Sequence, residues 1–569
     1  MNSKQLKNIS LALASASLLA ACNPLNKMAK TAETMKYDAA PNPMEMHADE
    51  VTVKVSGKFP ADYFNKKAAV TVKPIFMSGG EVVKEFDSKT FVGEDSDVEG
   101  TIINFEKGGN FEYELTVPYS SELERGEMWV VISGAYKTKS KELARVKIAD
   151  GTIITPYMVM SDDRPILGND EFVRITPSNL NAEIFYTINS SQVRGSELKN
   201  EDVMGMMDSI KSWADDSTYV FKSLAIEAYA SPDGELAVND KLADNRAKSA
   251  GSAVERQLKR SKIEGADAEG FSTFTGKGED WNGFKSAMQS SNIEDKDLIV
   301  RVLGMYDDVA KREQEIKNMA ETYEVLKEDI LPSLRRAQIA LNVDKVGKSD
   351  EEIAQMATTN PEGLTVEELL YAATLTDDMD GKLDVYKSVQ SIYPNDWRGH
   401  NNVGYILLLQ NKVNDAETNF EKAASVMSTP VVNNNLGVVA RLNGDRESAA
   451  EYYSQAAGAG SDVNYNMAIL DIQNGEYESA VTNFGSNNTF NAALAQLLSG
   501  DADKATSTID ASEDKNSAEA FYLKAIIAAR ADNASDVVKN LKTAISKDAS
   551  LKAKAMKDAE FVNLDFSTL

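Results

Sequence analysis

The sequence predicts a multidomain chain: an N-terminal β-sandwich, a central α/β domain and a C-terminal all-α solenoid. Three observations carry that reading. From Glu50 apolar residues recur at every second position, as in half-buried strands. Over 221–258 an apolar strand signal breaks at a Ser-Pro-Asp-Gly turn and resumes with helical period. Beyond residue 361, small residues and aromatics recur together at steps of 33 and 31 residues. A chain of 569 residues is also too long for a single hydrophobic core.

At the amino end, Lys4 and Lys7 precede an apolar run from Ile9 to Leu19. It is too short to span a bilayer and reads as a secretory signal over 1–21. The run closes with Leu19-Ala20-Ala21-Cys22, which resembles a bacterial lipobox. That resemblance implies that Cys22 becomes the first mature residue and carries lipid. Cys22 is the only cysteine, so no internal disulfide can form. No later stretch has the uninterrupted apolar length of a spanning helix, so the lipid is the expected membrane attachment. The formal charge is −27, and loss of Lys4 and Lys7 with the signal makes it −29. So acidic a surface repels phosphate backbones, which excludes nucleic acid as a partner.

Residues 22–47 are small, polar and proline-containing and are expected to form a flexible tether. The period-two alternation begins with Val51, Val53 and Val55 and returns over 69–72, 111–117, 129–132 and 146–148. Gly79-Gly80 and Gly108-Gly109 stand where hairpins turn. Residues 48–160 therefore read as the β-sandwich module.

The central domain is expected over 165–342. It starts with a strand near 182–188 and a helix from about 200 to 213. A second strand carries Leu224, Ile226 and Ala228, the turn is Ser231-Pro232-Asp233-Gly234, and the next helix shows Leu242, Ala247, Ala250 and Val254 roughly on one face. A short strand at 271–274, a charged helical insertion over 306–331 and a last strand at 334–341 with Arg335 and Arg336 complete it. Gly234, Asn239, Leu242 and Arg246-Ala247 in this order resemble the core motif of the OmpA C-terminal-like, peptidoglycan-associated family. The resemblance implies an α/β OmpA-like domain with both termini on one small mixed sheet. It also implies a site for diaminopimelate of the peptidoglycan stem peptide: a loop aspartate takes the ammonium, and the arginine fifteen positions later takes the carboxylate. Here Arg246 is that arginine, but the acidic position is Ser231, with Asp233 two residues on. A neutral hydrogen bond is worth about 1 kcal/mol against about 1.5–3 kcal/mol for a charge-assisted one. The peptidoglycan-binding set implied is Ser231, Asp233, Asn239 and Arg246, with Arg335 or Arg336 adding a second positive group. The bland alternative makes Arg246 a solvated helix residue paired with Asp244 or Asp233, and Arg335 and Arg336 surface arginines.

A polar linker is expected over 343–360, then a repeat array over 361–569. Val403-Gly404 recurs as Leu436-Gly437 and Met467-Ala468; Ala416, Ala449 and Ala480 keep step, as do Phe420, Tyr453 and Phe484. The pattern resembles the tetratricopeptide repeat, in which small residues let paired helices approach and each aromatic fills the gap between neighbours. The resemblance implies a tetratricopeptide solenoid whose concave face binds peptides or partner domains, with Arg398, Asn401, Asn434 and Arg441 on that face. The lysines and additional asparagines of a carboxylate clamp are missing, so capture of a free C-terminus is not expected. A rigid spacer is the other reading.

The domain combination resembles outer-membrane lipoproteins of Bacteroidota type. Asn23-Pro24-Leu25-Asn26-Lys27 lacks the acidic cluster of surface-exported lipoproteins, which places the body on the periplasmic side. The function expected is a non-enzymatic link between membrane and peptidoglycan that scaffolds an unidentified envelope protein on its repeats. The alternative is a component of an assembly or secretion complex whose OmpA-like domain docks protein instead. His47 and His400 are the only histidines and no second cysteine exists, which leaves zinc chemistry and histidine triads without parts. Among 88 acidic residues no spacing singles out a catalytic pair. Asp377-Asp378-Met379-Asp380-Gly381 reads as a turn, since Lys387 stands where a calcium loop closes with glutamate. No cofactor and no metal are expected.

Overall fold

Alternation in Val51, Val53 and Val55 does what a period of two dictates: all three side chains leave solvent on one face of a strand. The computed structural model describes residues 24–293, 296–306, 308–318 and 324–569; Cys22 and the expected signal segment lie outside them. The chain divides into two units, Met1–Gly168 with Val389–Leu569, and Asn169–Ser388.

In the first unit the strands are β1 (Tyr37–His47), β2 (Glu50–Phe59), β3 (Ala68–Ser78), β4 (Glu81–Glu85), β5 (Lys89–Gly93), β6 (Thr101–Ile103), β7 (Gly109–Pro118), β8 (Glu127–Tyr136), β9 (Lys139–Asp150) and β10 (Thr152–Ile153). They form one sheet of order β10-β1-β2-β7 and another of order β6-β5-β3-β8-β9, with β4 hydrogen-bonded to β3. Both sheets contribute to one core, in which Val53 and Val55 meet Val70, Val72, Val130 and Ile132. Phe59, Phe64, Phe91 and Phe111 close one region of it with ring centroids 4.9 to 5.2 Å apart.

The expected tether is instead part of this fold. Helix α1 (Pro24–Ala32) buries Leu25, Met28, Ala29 and Ala32, a helical stripe at steps of three and four, and β1 follows it into the sheet. Composition suggested a coil, but the apolar residues are few and correctly spaced, and that spacing decides. His47, expected in the tether, ends β1 with its ring Nδ1 2.7 Å from the Tyr477 hydroxyl.

The helical part of the same unit is a stack of helix pairs, as the tetratricopeptide resemblance implies. Its pairs are repeat I (Trp397–Leu409, Val413–Val426), II (Pro430–Leu442, Arg446–Gln455), III (Ser461–Gln473, Tyr477–Phe484), IV (Phe490–Leu498, Ala502–Ala511) and V (Ala518–Arg530, Ala534–Lys547). Every turn within a pair has a residue of positive φ in its middle: Asn411, Gly444, Gly475, Gly500 and Asp532. That left-handed residue ends the first helix and reverses the chain, which explains the Gly and Asx usage there. Small residues sit against aromatics as the repeat requires. A Cβ on Gly404 would lie 2.7 Å from the Phe420 ring, and one on Gly437 2.5 Å from Tyr453.

The second unit holds a four-stranded sheet of order β11-β14-β12-β13, from β11 (Ile175–Phe185), β12 (Tyr219–Ala230), β13 (Ser272–Glu279) and β14 (Arg336–Val346). β11 and β14 pair antiparallel along their whole length, and β12 and β13 run parallel. Helix α2 (Glu201–Trp213) follows β11 and α3 (Leu236–Arg260) joins β12 to β13. Val203, Met206, Ile210, Ala247, Ala250 and Val254 from these helices share the core with Leu224, Ile226, Ile339 and Leu341. The expected linker over 343–360 does not exist as coil. Its start completes β14, and Ser349 opens a helix, Asp350–Thr359, through a capping box with Glu352. Ser-x-x-Glu was readable as a helix start; its polarity hid it.

Candidate binding sites

At the carboxyl end of β12 the chain turns through Ser231–Gly234 into α3, and β14 begins beside that turn. Ser231 Oγ donates to Asp233 Oδ1 at 2.5 Å and accepts from Arg335 Nε at 3.0 Å. Arg335 Nη2 reaches Asp233 Oδ2 at 3.3 Å. Asn239, one turn into α3, donates to the Ser231 carbonyl at 3.2 Å and to Glu279 Oε1 at 2.8 Å, tying the turn to β13. Four of the six expected residues thus form one connected cluster, largely buried. Arg336 leaves it: the next residue of a strand faces the other way, and its guanidinium pairs with Asp280 at 2.8 Å and Glu183 at 3.3 Å.

Arg246 is not on the polar side of its helix. It is 1% exposed and lies on the buried stripe with Asn239, Ala243, Ala250 and Val254, the last two of which the sequence places on the apolar face. Its donors go to backbone carbonyls: Nη1 to Tyr229 at 2.8 Å, Nε to Ser190 at 3.0 Å and Nη2 to Thr187 at 3.3 Å. Burial pushes the guanidinium down to about 10, with the charge of Arg335 acting the same way and Tyr186 and Asp233 opposing. Arg246 therefore pins the segment after β11 to the end of β12. An open cleft of about 450 Å³ runs alongside, lined by Tyr186, Thr187, Ile188, Arg194, Ser333 and Arg335 among others.

The second site lies in the first unit, along the first helices of repeats I to IV. Residues 160–168, which follow the sandwich and form no secondary structure, lie there as a strap. One asparagine per repeat holds one strap residue by both backbone groups. The Asn402 amide accepts from Gly168 N at 2.8 Å and donates to its carbonyl at 2.9 Å. Asn435 does the same to Ile166 (2.7 and 2.8 Å), Asn466 to Arg164 (2.8 and 2.9 Å) and Asn491 to Met160 (2.8 and 2.8 Å). Asn401 and Asn434 add bonds to the carbonyls of Ile166 and Arg164. The asparagine amide presents side by side the donor and the acceptor that this pairing needs.

Side chains then fix the register. Arg441 forks onto both oxygens of Asp163, with Nε to Oδ1 at 2.6 Å, and both residues are shielded from water. Asp162 accepts from Asn491 at 2.6 Å and from the Tyr465 hydroxyl. The Arg164 guanidinium stacks 3.6 Å above the Tyr465 ring. A Cβ on Gly168 would lie 2.7 Å from Arg398 Cγ, so this close approach needs glycine. Asn401, Asn434 and Arg441, expected to meet a partner, are engaged by the chain's own strap. Arg398 is beside it and pairs with Asp396. Asn402, Asn435, Asn466 and Asn491, which hold the strap backbone, were not among the residues expected on that face. Their recurrence at steps of 33, 31 and 25 was the available signal.

No protein-family model matches the chain, and no curated protein matches its sequence. Among solved structures it is similar to YrrB, described as a TPR protein with an unusual peptide-binding site (17% identity over 36% of this chain and 99% of that one, TM-score 0.22). It is likewise similar to a tetratricopeptide repeat protein from Parabacteroides merdae (12%, 44% and 99%, TM-score 0.28) and to PilW, a type IV pilus biogenesis factor (18%, 37% and 87%, TM-score 0.23). At identities and TM-scores this low, the architecture rests on the chain's own geometry.

Proposed function

We propose that this chain is a non-enzymatic scaffold of the bacterial envelope. Lipid on Cys22 holds it to the periplasmic side of the outer membrane, the unit Asn169–Ser388 engages peptidoglycan, and the sandwich-and-repeat unit carries an unidentified envelope protein. The observation that supports the wall contact is the Ser231–Asp233–Arg335 cluster, set in a domain whose first and last strands pair as the OmpA-like resemblance implies. Diaminopimelate presents an ammonium and a carboxylate on one carbon. Asp233 is the acceptor for the first and the Arg335 fork the donor for the second, while the cleft beside Arg335 gives the stem peptide room. The motif's acid has moved two residues along the turn, and Arg335 takes the work that the motif gives to Arg246. Because α1 starts at Pro24, two residues after Cys22, lipidation there sets the sandwich close against the membrane surface.

Co-sedimentation of the full chain, made soluble by Cys22→Ala, with purified sacculi tests this. The parent protein is expected in the pellet, and Asp233→Asn, isosteric and uncharged, is expected to weaken binding about tenfold, or about 1.4 kcal/mol. A parent protein that stays in the supernatant refutes the wall contact. One observation favours the second reading, a protein-docking domain within an assembly or secretion complex: Arg246 and Arg335 are both already engaged within the domain.

A further inference from the structure

The strap has the properties of a ligand. It has no secondary structure of its own, yet Met160, Arg164, Ile166 and Gly168 each have N–H and C=O both satisfied by a repeat asparagine. In an extended chain alternate residues face the same way, so a step of two residues per repeat matches Gly168, Ile166 and Arg164 to repeats I, II and III. Residue numbers fall as the repeats advance, which means that the strap runs antiparallel to the array. Between Arg164 and Met160 the step is four, and the Asp162 carboxylate fills the skipped position against Asn491 and Tyr465. The backbone clamps are indifferent to sequence. Discrimination comes from three adjacent side chains: Asp162 at Tyr465 and Asn491, Asp163 at Arg441, and Arg164 over the Tyr465 ring.

We propose that the face formed by the first helices of repeats I to IV is a peptide-reading site specific for an extended Asp-Asp-Arg segment, and that residues 160–168 fill it in cis. In an empty groove the amides of Asn402, Asn435, Asn466 and Asn491 would exchange the strap's backbone groups for water, keeping only the bonds that Asn401 and Asn434 make to the first three. An envelope protein carried by this unit therefore meets another surface, or displaces the strap with a segment of the same chemistry. Tethering favours the strap in that competition, since it is presented at high effective concentration.

Two measurements on the full chain test the proposal. The first is hydrogen exchange at the amides of Met160, Arg164, Ile166 and Gly168, which are expected to be protected despite lying outside any helix or strand. Asp163→Arg and Arg441→Asp alone are each expected to lose about a hundredfold in that protection, and the two together to regain most of it. A double variant no better than the singles overturns the direct pairing. The second uses a labelled synthetic peptide with the sequence of residues 158–169. It is expected to bind a chain carrying Asp162→Ser, Asp163→Ser and Arg164→Ser, but not the parent, whose groove is filled. The same peptide with both aspartates changed to asparagine is expected to bind that variant about tenfold more weakly. Equal binding to parent and variant overturns closure in cis. No binding to a variant whose strap amides have lost protection overturns recognition, and full protection in that variant overturns the role of the three side chains.

Discussion

Arg441 and Arg246 are both buried arginines on first-unit and second-unit helices, respectively, and they serve opposite ends. Arg441 meets a carboxylate, Asp163, on a segment that belongs to no helix or strand. Arg246 meets three backbone carbonyls, Tyr229 in β12 and Thr187 and Ser190 in the segment after β11, and no carboxylate. The first recognises a segment by charge and fork geometry, so its loss strands an unpaired anion. The second holds two pieces of its own domain together with no carboxylate bound to it, and burial outweighs the opposing effects of Tyr186 and Asp233 and lowers its proton affinity. A buried arginine is thus read by what it faces: a carboxylate on a segment outside helix and strand marks recognition, and backbone carbonyls of its own domain mark a structural pin.

Replacing each by methionine, similar in length and uncharged, is the strongest test of that contrast. Arg441→Met leaves Asp163 charged and buried and is expected to cost about 3–5 kcal/mol. Arg246→Met removes a charge with no counter-ion and leaves carbonyls under-satisfied, for about 1–3 kcal/mol. Thermal or denaturant unfolding that follows each unit separately checks the order, and a reversed order breaks the comparison. Next in size is Gly437→Leu. Its side chain drives into Tyr453, which is itself fully buried, and the overpacking is expected to cost about 1–3 kcal/mol and to loosen repeat II. A native melting profile would mean that Tyr453 has somewhere to go. The smallest effect expected is that of Ser349→Ala, which removes one half of the capping box on the helix Asp350–Thr359, at about 1 kcal/mol. The second unit alone should register it in unfolding, and the first unit's transition should not move.

Much of the molecule was legible in local pattern. Val51, Val53 and Val55 announced a strand, and Gly404 with Phe420 and Gly437 with Tyr453 announced paired helices, because backbone periodicity is set within a few residues. The turn of Ser231 to Gly234 and the helix after it were readable for the same reason. What tertiary structure alone decided was the partner of each polar group. Arg246 shares the face of Leu242, Ala250 and Val254 by helical period, but its charge reads as solvated, and only the carbonyls of Thr187, Ser190 and Tyr229 supply the partners that let it stay inside. Arg335 and Asp233 stand 102 residues apart in sequence, and no local rule pairs them. The strap and its asparagines are separated by 234 to 331 residues. Residues 160–168, mixed in polarity and without periodicity, carry no sign by themselves of being a bound segment; they became one because four helices stacked with their asparagines in line.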